Sequence, residues 1–151
     1  MSIYTLEIKT IRKALKLLAP SLSVRRGRGT GYSWIEISGS KEWGEFTDEE
    51  REALIKVGLR PGANFAVISP DSRRYWVETL AKKLGVEIPE ELRDEYRRRD
   101  IEKARMERRL REIKERQESC QHEWVKMPYL VLFQEDKALY RCKKCGKEEI
   151  R

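Results

Sequence analysis

The sequence has little cysteine or histidine and no long apolar run. Its 151 residues include three Cys and one His, and an odd number of cysteines argues against a closed set of disulfides. No stretch approaches the ~20 apolar residues that a membrane-spanning helix needs. Charges also interrupt the N-terminal segment where a secretion signal would be apolar. We therefore expect a soluble, cytoplasmic protein with no membrane partner.

The chain also lacks the motifs of common catalytic sites. It has no P-loop, and the glycine-rich stretch 27–31 opens no helix as a dinucleotide-binding fingerprint would. The single histidine lies beside a cysteine, where a metal would bind it, so none remains for a Ser-His or Cys-His mechanism. We expect no enzyme activity. The alternative is a metal-dependent nuclease built from Glu7, Lys9, Glu36 and Asp71.

Charge and aromatic content indicate a folded protein with a basic surface. Charged residues make up 39% of the chain and the formal net charge is +7, which favours a polyanionic partner. The four Trp, six Tyr and three Phe exceed what disordered chains usually contain. The abundance of Glu, Lys and Arg is also typical of heat-adapted proteins, so a thermophilic source is a second explanation of the charge.

Residues 1–88 have the pattern of a small α+β domain with the order α-β-β-α-β-α. Apolar residues at helical spacing predict a helix over 8–19, which Pro20 stops. Thr47 and Glu50 form a capping box that opens the second helix. The remaining predicted elements are strands at 21–26, 32–38 and 64–68, a helix from Ser69 to Gly85, and an extra strand at 2–7.

Residues 89–118 predict one long charged helix. Charged side chains occupy 21 of these 30 positions, many as opposite-sign pairs three or four residues apart. We expect a solvated linker helix of roughly 45 Å that separates two modules. The alternative is a homodimeric coiled coil, although the apolar stripe drifts from a heptad: Leu92, Tyr96, Ile101, Met106, Leu110 and Ile113.

Residues 119–151 contain two short pairs of metal-binding side chains. The pairs are Cys120-Gln121-His122 and Cys142-Lys143-Lys144-Cys145-Gly146. Between them lie two apolar stretches and a polar turn at 134–137, and a β-hairpin there would bring the pairs together. Three thiolates and one imidazole in a tetrahedron predict one structural Zn²⁺. A redox-active Cys-x-x-Cys is the alternative, but its thioredoxin-like context is missing.

The segment 120–151 resembles the zinc ribbon family, whose knuckles read Cys-x-x-Cys-Gly. The second knuckle matches this pattern, whereas the first is a shorter Cys-x-His variant. Zinc ribbons commonly bind nucleic acids or proteins, so the resemblance implies a binding role. Four basic residues on or beside the second knuckle are candidates to contact phosphates, the alternative being that they serve solubility and offset thiolate charge: Arg141, Lys143, Lys144 and Lys147.

The N-terminal domain carries a second candidate surface for nucleic acid. Arginines on a flexible loop can reach phosphates, and aromatic residues on the following strand can stack on exposed bases. Alternatively, the aromatic residues belong to the core and the arginines solvate the loop. The candidates are Arg25, Arg26, Arg28, Tyr32 and Trp34.

Residues 8–58 resemble a small α+β domain found in large polyvalent proteins of phages and plasmids. The resemblance rests on a helix, Pro20, the strand Ser23-Val24-Arg25, a glycine-rich turn and a second strand. Trp43-Gly44 stands where that family has Trp-x-Asp-Gly-Pro. The resemblance implies a viral or mobile-element origin, hence a host cytoplasm, and no known chemistry.

Together these patterns predict a zinc-ribbon protein that binds DNA or RNA mainly through phosphates. The alternative is a protein-interaction adaptor that dimerises through the charged helix and uses the apolar strands of the ribbon. Exposure of Leu130, Leu132 and Phe133 would favour the adaptor.

Overall fold

The computed structural model describes residues 1–127 and 137–151. Within these ranges the chain forms four α-helices and two three-stranded antiparallel sheets, which confirms the α+β class. None of these helices has the length and apolar content to cross a bilayer. The chain divides into two compact units, Met1–Arg98 and Arg99–Arg151. The predicted division at residues 88 and 118 stays a prediction.

The first unit has the predicted α-β-β-α-β-α order. Its elements are α1 (Ile3–Leu18), β1 (Leu22–Arg26), β2 (Ile35–Gly39), α2 (Asp48–Lys56), β3 (Ala66–Ile68), α3 (Arg73–Leu84) and the first turns of α4 (Glu90–Glu118). The predicted strand at 2–7 is wrong because α1 already begins at Ile3. Ser2 caps this helix by accepting a hydrogen bond from the backbone N–H of Thr5 at 3.3 Å.

The sheet of the first unit has the order β1-β2-β3. Its core face consists of aliphatic residues that are buried with α1 and α3 in one hydrophobic cluster: Leu22, Val24, Ile35, Ile37 and Ile68. Because side chains alternate along a strand, the cross-strand row of Arg25, Glu36 and Val67 lies on the opposite face. Tyr32 and Trp34 precede β2, so the prediction that they lie on this strand is wrong.

A buried carboxylate connects three helices of the first unit. Glu7 on α1 is only 2% exposed. Arg73 on α3 places Nη1 3.1 Å from Glu7 Oε2, and the hydroxyl of Tyr96 on α4 donates to Oε1 at 3.2 Å. Burial, together with the negative charge of Glu7, raises the pKa of Tyr96, so the phenol stays protonated and donates. The first turns of α4 therefore belong to this core, where Leu92 is also buried.

The second unit has a small sheet of three short strands after α4. These strands are β4 (Trp124–Lys126), β5 (Leu139–Cys142) and β6 (Glu148–Ile150), in the order β4-β5-β6. The sequence did not predict β6, which pairs with β5 from Leu139↔Ile150 to Arg141↔Glu148. The residues named for the predicted turn and for the adaptor surface lie outside the described residues, Lys137 excepted: Gln134, Glu135, Asp136, Leu130, Leu132 and Phe133.

We expect Tyr96→Phe to lower the free energy of unfolding of the first unit by about 1–3 kcal/mol, because a buried carboxylate loses a donor while the ring remains. Urea denaturation of the full chain, followed through amide signals of the first unit, measures this change. The matched control is Tyr75→Phe, since Tyr75 on α3 is 67% exposed. Equal losses in the two variants would contradict a specific role of the Tyr96 hydroxyl.

Candidate metal centre

Four side chains that are candidates for metal ligands converge in the second unit. Cys120 and His122 lie between α4 and β4, Cys142 ends β5, and Cys145 lies in the turn before β6. The pairing of Trp124 with Cys142 brings the two sequence pairs together. Their ligand atoms all lie within 4.8 Å of one another. The structure thus gathers the four predicted residues into one cluster that could hold a metal ion.

Two distances between ligand atoms match the edges of one tetrahedral site. The Sγ atoms of Cys120 and Cys142 are 3.8 Å apart, and Cys145 Sγ lies 3.4 Å from His122 Nδ1. A disulfide would need about 2.05 Å between sulfurs, and the three cysteines are free. Metal–sulfur bonds of about 2.3 Å and metal–nitrogen bonds of 2.0–2.1 Å give tetrahedral edges of roughly 3.8 Å and 3.5 Å. The cluster is therefore compatible with metal coordination and with a zinc ribbon.

Backbone N–H groups surround the most buried sulfur. The N–H of Glu123 donates to Cys142 Sγ at 3.4 Å, and Gly146, at φ +73°, turns the chain so that its N–H donates to the Cys142 carbonyl at 2.9 Å. Burial raises the pKa of Cys142, but hydrogen bonds from the backbone of Cys145 and Glu123 outweigh this effect and lower it to about 5. Cys142 is thus prepared as a thiolate, the form that binds metals.

The thiol of Cys120 has the opposite electrostatic environment. Burial, followed by hydrogen bonds to Cys145 and Cys142, raises the pKa of Cys120 to about 11. Three sulfurs held close together cannot all be thiolates without a cation between them. The cluster therefore gains most from a bound cation, which would displace this proton.

An aromatic side chain that the sequence did not single out lies against the cluster. The ring centroids of Trp124 and His122 are 4.8 Å apart, and the guanidinium of Arg151 lies 4.5 Å from the Trp124 centroid. The place of Trp124 in the sequence, two residues after His122, could have indicated this contact.

Because four protein ligands complete a tetrahedron, the arrangement leaves no position for a reacting water.

The basic residues beside the second knuckle differ in their partners. Arg141 Nε lies 3.6 Å from Glu148, and Lys143 Nζ lies 3.7 Å from Glu123. Lys144 and Lys147 are exposed and form no ion pair with any described residue. Among the four predicted basic contacts, these two lysines have the side chains most available to an anion.

The N-terminal arginines do not form one surface. Arg25 lies on the outer face of the sheet, where its Nη2 donates to Ser38 Oγ at 3.3 Å. Arg26 packs against α1 instead, with its guanidinium 4.6 Å from the Tyr4 ring centroid and its Nη2 donating to Thr5 Oγ1 at 2.7 Å. Arg28 is exposed and has no ion pair within residues 1–127 and 137–151.

The loop 27–34 forms a hydrogen-bonded turn, and the flexibility that the sequence predicts for residues 27–31 stays a prediction. The hydroxyl of Tyr4 hydrogen-bonds the carbonyls of Tyr32 and Trp34 at 3.0 and 2.6 Å, and the N–H of Gly27 donates to the Trp34 carbonyl at 2.9 Å. A Cβ on Gly27 would collide with the Gly31 carbonyl, so only glycine fits there. Tyr32 is 72% exposed and Trp34 39%, so neither ring belongs to the core.

Within the described part of the chain, the Cys–His cluster is the one group of three or more His, Cys, Asp or Glu side chains that could hold a metal ion. Glu7 is held by Arg73 and Tyr96, Glu36 lies on the outer face of the sheet, and Asp71 lies in a 3₁₀ turn. The carboxylates considered for a nuclease are therefore not gathered into a metal site.

Comparison of the chain with protein-family models, curated protein sequences and solved structures gives no match. The resemblance of residues 8–58 to the phage and plasmid domain stays a prediction.

Removing the metal with a chelator is expected to abolish the ordered sheet of the second unit and leave the first unit folded. The reason is that Cys142 is the one buried hydrophobic residue described between residues 99 and 151. Amide NMR spectra before and after chelation measure this difference.

We further expect Cys142→Ser to lose the single bound ion, measured by metal analysis of the purified chain. Glu123→Gln is the matched control, because it neutralises a neighbouring carboxylate and leaves the four ligands in place. A stoichiometric ion in Cys142→Ser would contradict the assignment of this cluster.

Proposed function

We propose that this chain is a nucleic-acid-binding protein whose C-terminal unit is stabilised by one structural Zn²⁺. The donor set supports zinc, because three thiolates and one imidazole in a tetrahedral arrangement suit Zn²⁺ better than the oxygen-preferring Mg²⁺ or Ca²⁺. All four positions are protein ligands, so the ion supplies folding free energy and no catalytic water.

The observation that carries the binding proposal is the exposed turn 27–34. It carries Arg28, which has no ion pair with any residue that the structure describes, in the same turn as two exposed aromatic rings, and Tyr4 hydrogen-bonds the backbone of this turn. Arginine contacts phosphates by bidentate hydrogen bonds and releases counterions when it does so. The net charge of +7 likewise favours a polyanionic partner.

The second unit supplies further candidates for phosphate contacts. Lys144 lies inside the second knuckle and Lys147 follows Gly146, so folding of the metal site would hold both lysines on one turn. Contacts of this kind are independent of base sequence, and they bind DNA and RNA alike. We therefore propose binding, and not catalysis, as the activity of the chain.

The test is binding of the zinc-loaded chain to labelled single- and double-stranded DNA and RNA across a salt series. We expect log K to fall linearly with log salt, and Arg28→Ala to reduce the slope by about 1. The matched control Lys82→Ala removes the same charge from an exposed position on α3 and should leave the slope unchanged. Absence of binding at low salt would overturn the proposal.

A second candidate function is supported by the exposed part of α4. Met106, Leu110 and Ile113 are all exposed, and their spacing of four and then three residues places them on one helix face. Over this single heptad the stripe has the a/d spacing of a coiled-coil seam, which suits an adaptor that dimerises through this helix.

If α4 mediates dimerisation, sedimentation equilibrium will show a concentration-dependent dimer, and Leu110→Glu will shift it to monomer. The reason is that a charge in an apolar seam must be desolvated without a partner. Leu17→Glu is the matched control, because Leu17 on α1 is 65% exposed and lies outside the seam. A monomer at all accessible concentrations would remove this candidate.

A further inference from the structure

We infer that the turn 27–34 selects single-stranded nucleic acid by stacking unpaired bases on Tyr32 and Trp34. This inference rests on the proposed function and names its substrate class. It requires three properties of the turn: aromatic faces open to a ligand, a backbone that does not need ordering on binding, and local positive charge.

The first property is that two aromatic rings are exposed, although the hydrophobic effect favours their burial. Tyr32 is 72% exposed and Trp34 39%, whereas Phe46 and Phe65 of the same unit are buried and pack edge-to-face. A ring on the surface can stack on a base only if that base has left the interior of a duplex. Single-stranded nucleic acid offers such faces at every nucleotide, whereas duplex DNA offers only base edges in its grooves.

The second property is that the turn is already ordered. The Tyr4 hydroxyl hydrogen-bonds the carbonyls of both aromatic residues, and the N–H of Trp34 donates to the Gly31 carbonyl at 2.8 Å. The Tyr4 ring is itself fixed by the guanidinium groups of Arg26 and Arg73, each 4.6 Å from its centroid. The backbone that carries the two rings therefore loses little conformational entropy when a strand binds.

The third property is the charge around the rings. Residues 25–35 contain three arginines, of which Arg25 lies on the outer face of the sheet, and no acidic residue. The carboxylates of Glu7 and Glu36 also act on the Tyr4 hydroxyl, but less strongly than the cations Arg26 and Arg73 do. The first turn of α1, which holds Tyr4 against the turn, also has no acidic side chain. The positive end of this helix and the Arg26 guanidinium therefore add to the field of Arg28. A strand stacked on Tyr32 and Trp34 would place its phosphates in this positive region.

The experiment compares three labelled ligands at one low salt concentration. They are an oligothymidylate of about 12 nucleotides, an abasic strand of the same length and phosphate number, and a duplex of that length. We expect the zinc-loaded chain to bind oligothymidylate at least about 5-fold more tightly than the abasic strand, which lacks only the stacking faces. An oligouridylate arm tests whether RNA is accepted equally.

The variants assign the preference to the two rings. Tyr32→Ala and Trp34→Ala should each weaken oligothymidylate binding by roughly 5- to 150-fold and leave abasic binding nearly unchanged. Tyr32→Phe and Trp34→Phe keep an aromatic face and should retain the preference, which separates stacking from a folding defect. Tyr75→Ala, which removes an exposed ring from α3, is the matched control and should have no effect.

The outcomes separate the inference from the proposed function. Equal binding of oligothymidylate and the abasic strand, or tighter binding of the duplex, would overturn the inference and leave phosphate binding standing. Failure to bind any of the ligands would overturn the proposed function, and the inference with it.

Discussion

The buried carboxylate of Glu7 determines how the first unit is assembled. Desolvating a carboxylate costs several kcal/mol unless charged and hydrogen-bonding partners replace the water, and here Arg73 and Tyr96 replace it from two other helices. The arrangement of α1, α3 and α4 that satisfies this group is therefore favoured over other packings. Arg73 also lies against Tyr4, whose hydroxyl holds the turn 27–34. Through Arg73 and Tyr4, the buried carboxylate is therefore connected to the surface that we propose to bind nucleic acid.

The second unit has too few buried apolar side chains to be stabilised by a hydrophobic core. Its strands are three or four residues long, and Cys142 is the one hydrophobic side chain among its described residues that is buried. So little apolar burial cannot offset the conformational entropy of ordering the chain. Convergence of three thiolates and an imidazole supplies the missing free energy once a cation is bound. With a bound cation the Cys–His cluster would take the place of a core, and this is why the four ligands, and not the strand residues, are the clearest pattern in the sequence.

The sequence predicted the features that depend on residues close together in the chain. The capping box of Thr47 and Glu50 is present in both directions at the start of α2, and the spacing of the Cys–His pairs predicted the metal cluster. The sequence did not show the burial of Glu7, because its partners lie far away along the chain. Alternation around Trp34 resembled a strand, but the hydrogen bonds of Tyr4 close a turn there instead. Strand β6 was missed because Glu148 and Glu149 have low strand propensity, whereas pairing with β5 depends on the backbone.

The geometry of the turn 27–34 also limits how this sequence can diverge. A side chain at position 27 would meet backbone atoms, so replacement requires rebuilding the turn. Position 29 has φ +58° and open space around it, a conformation that asparagine adopts more readily than other non-glycine residues. Position 31 has neither constraint. Natural relatives of this chain should therefore keep glycine at 27, exchange glycine and asparagine at 29, and vary freely at 31, so three glycines of one turn would evolve at three different rates.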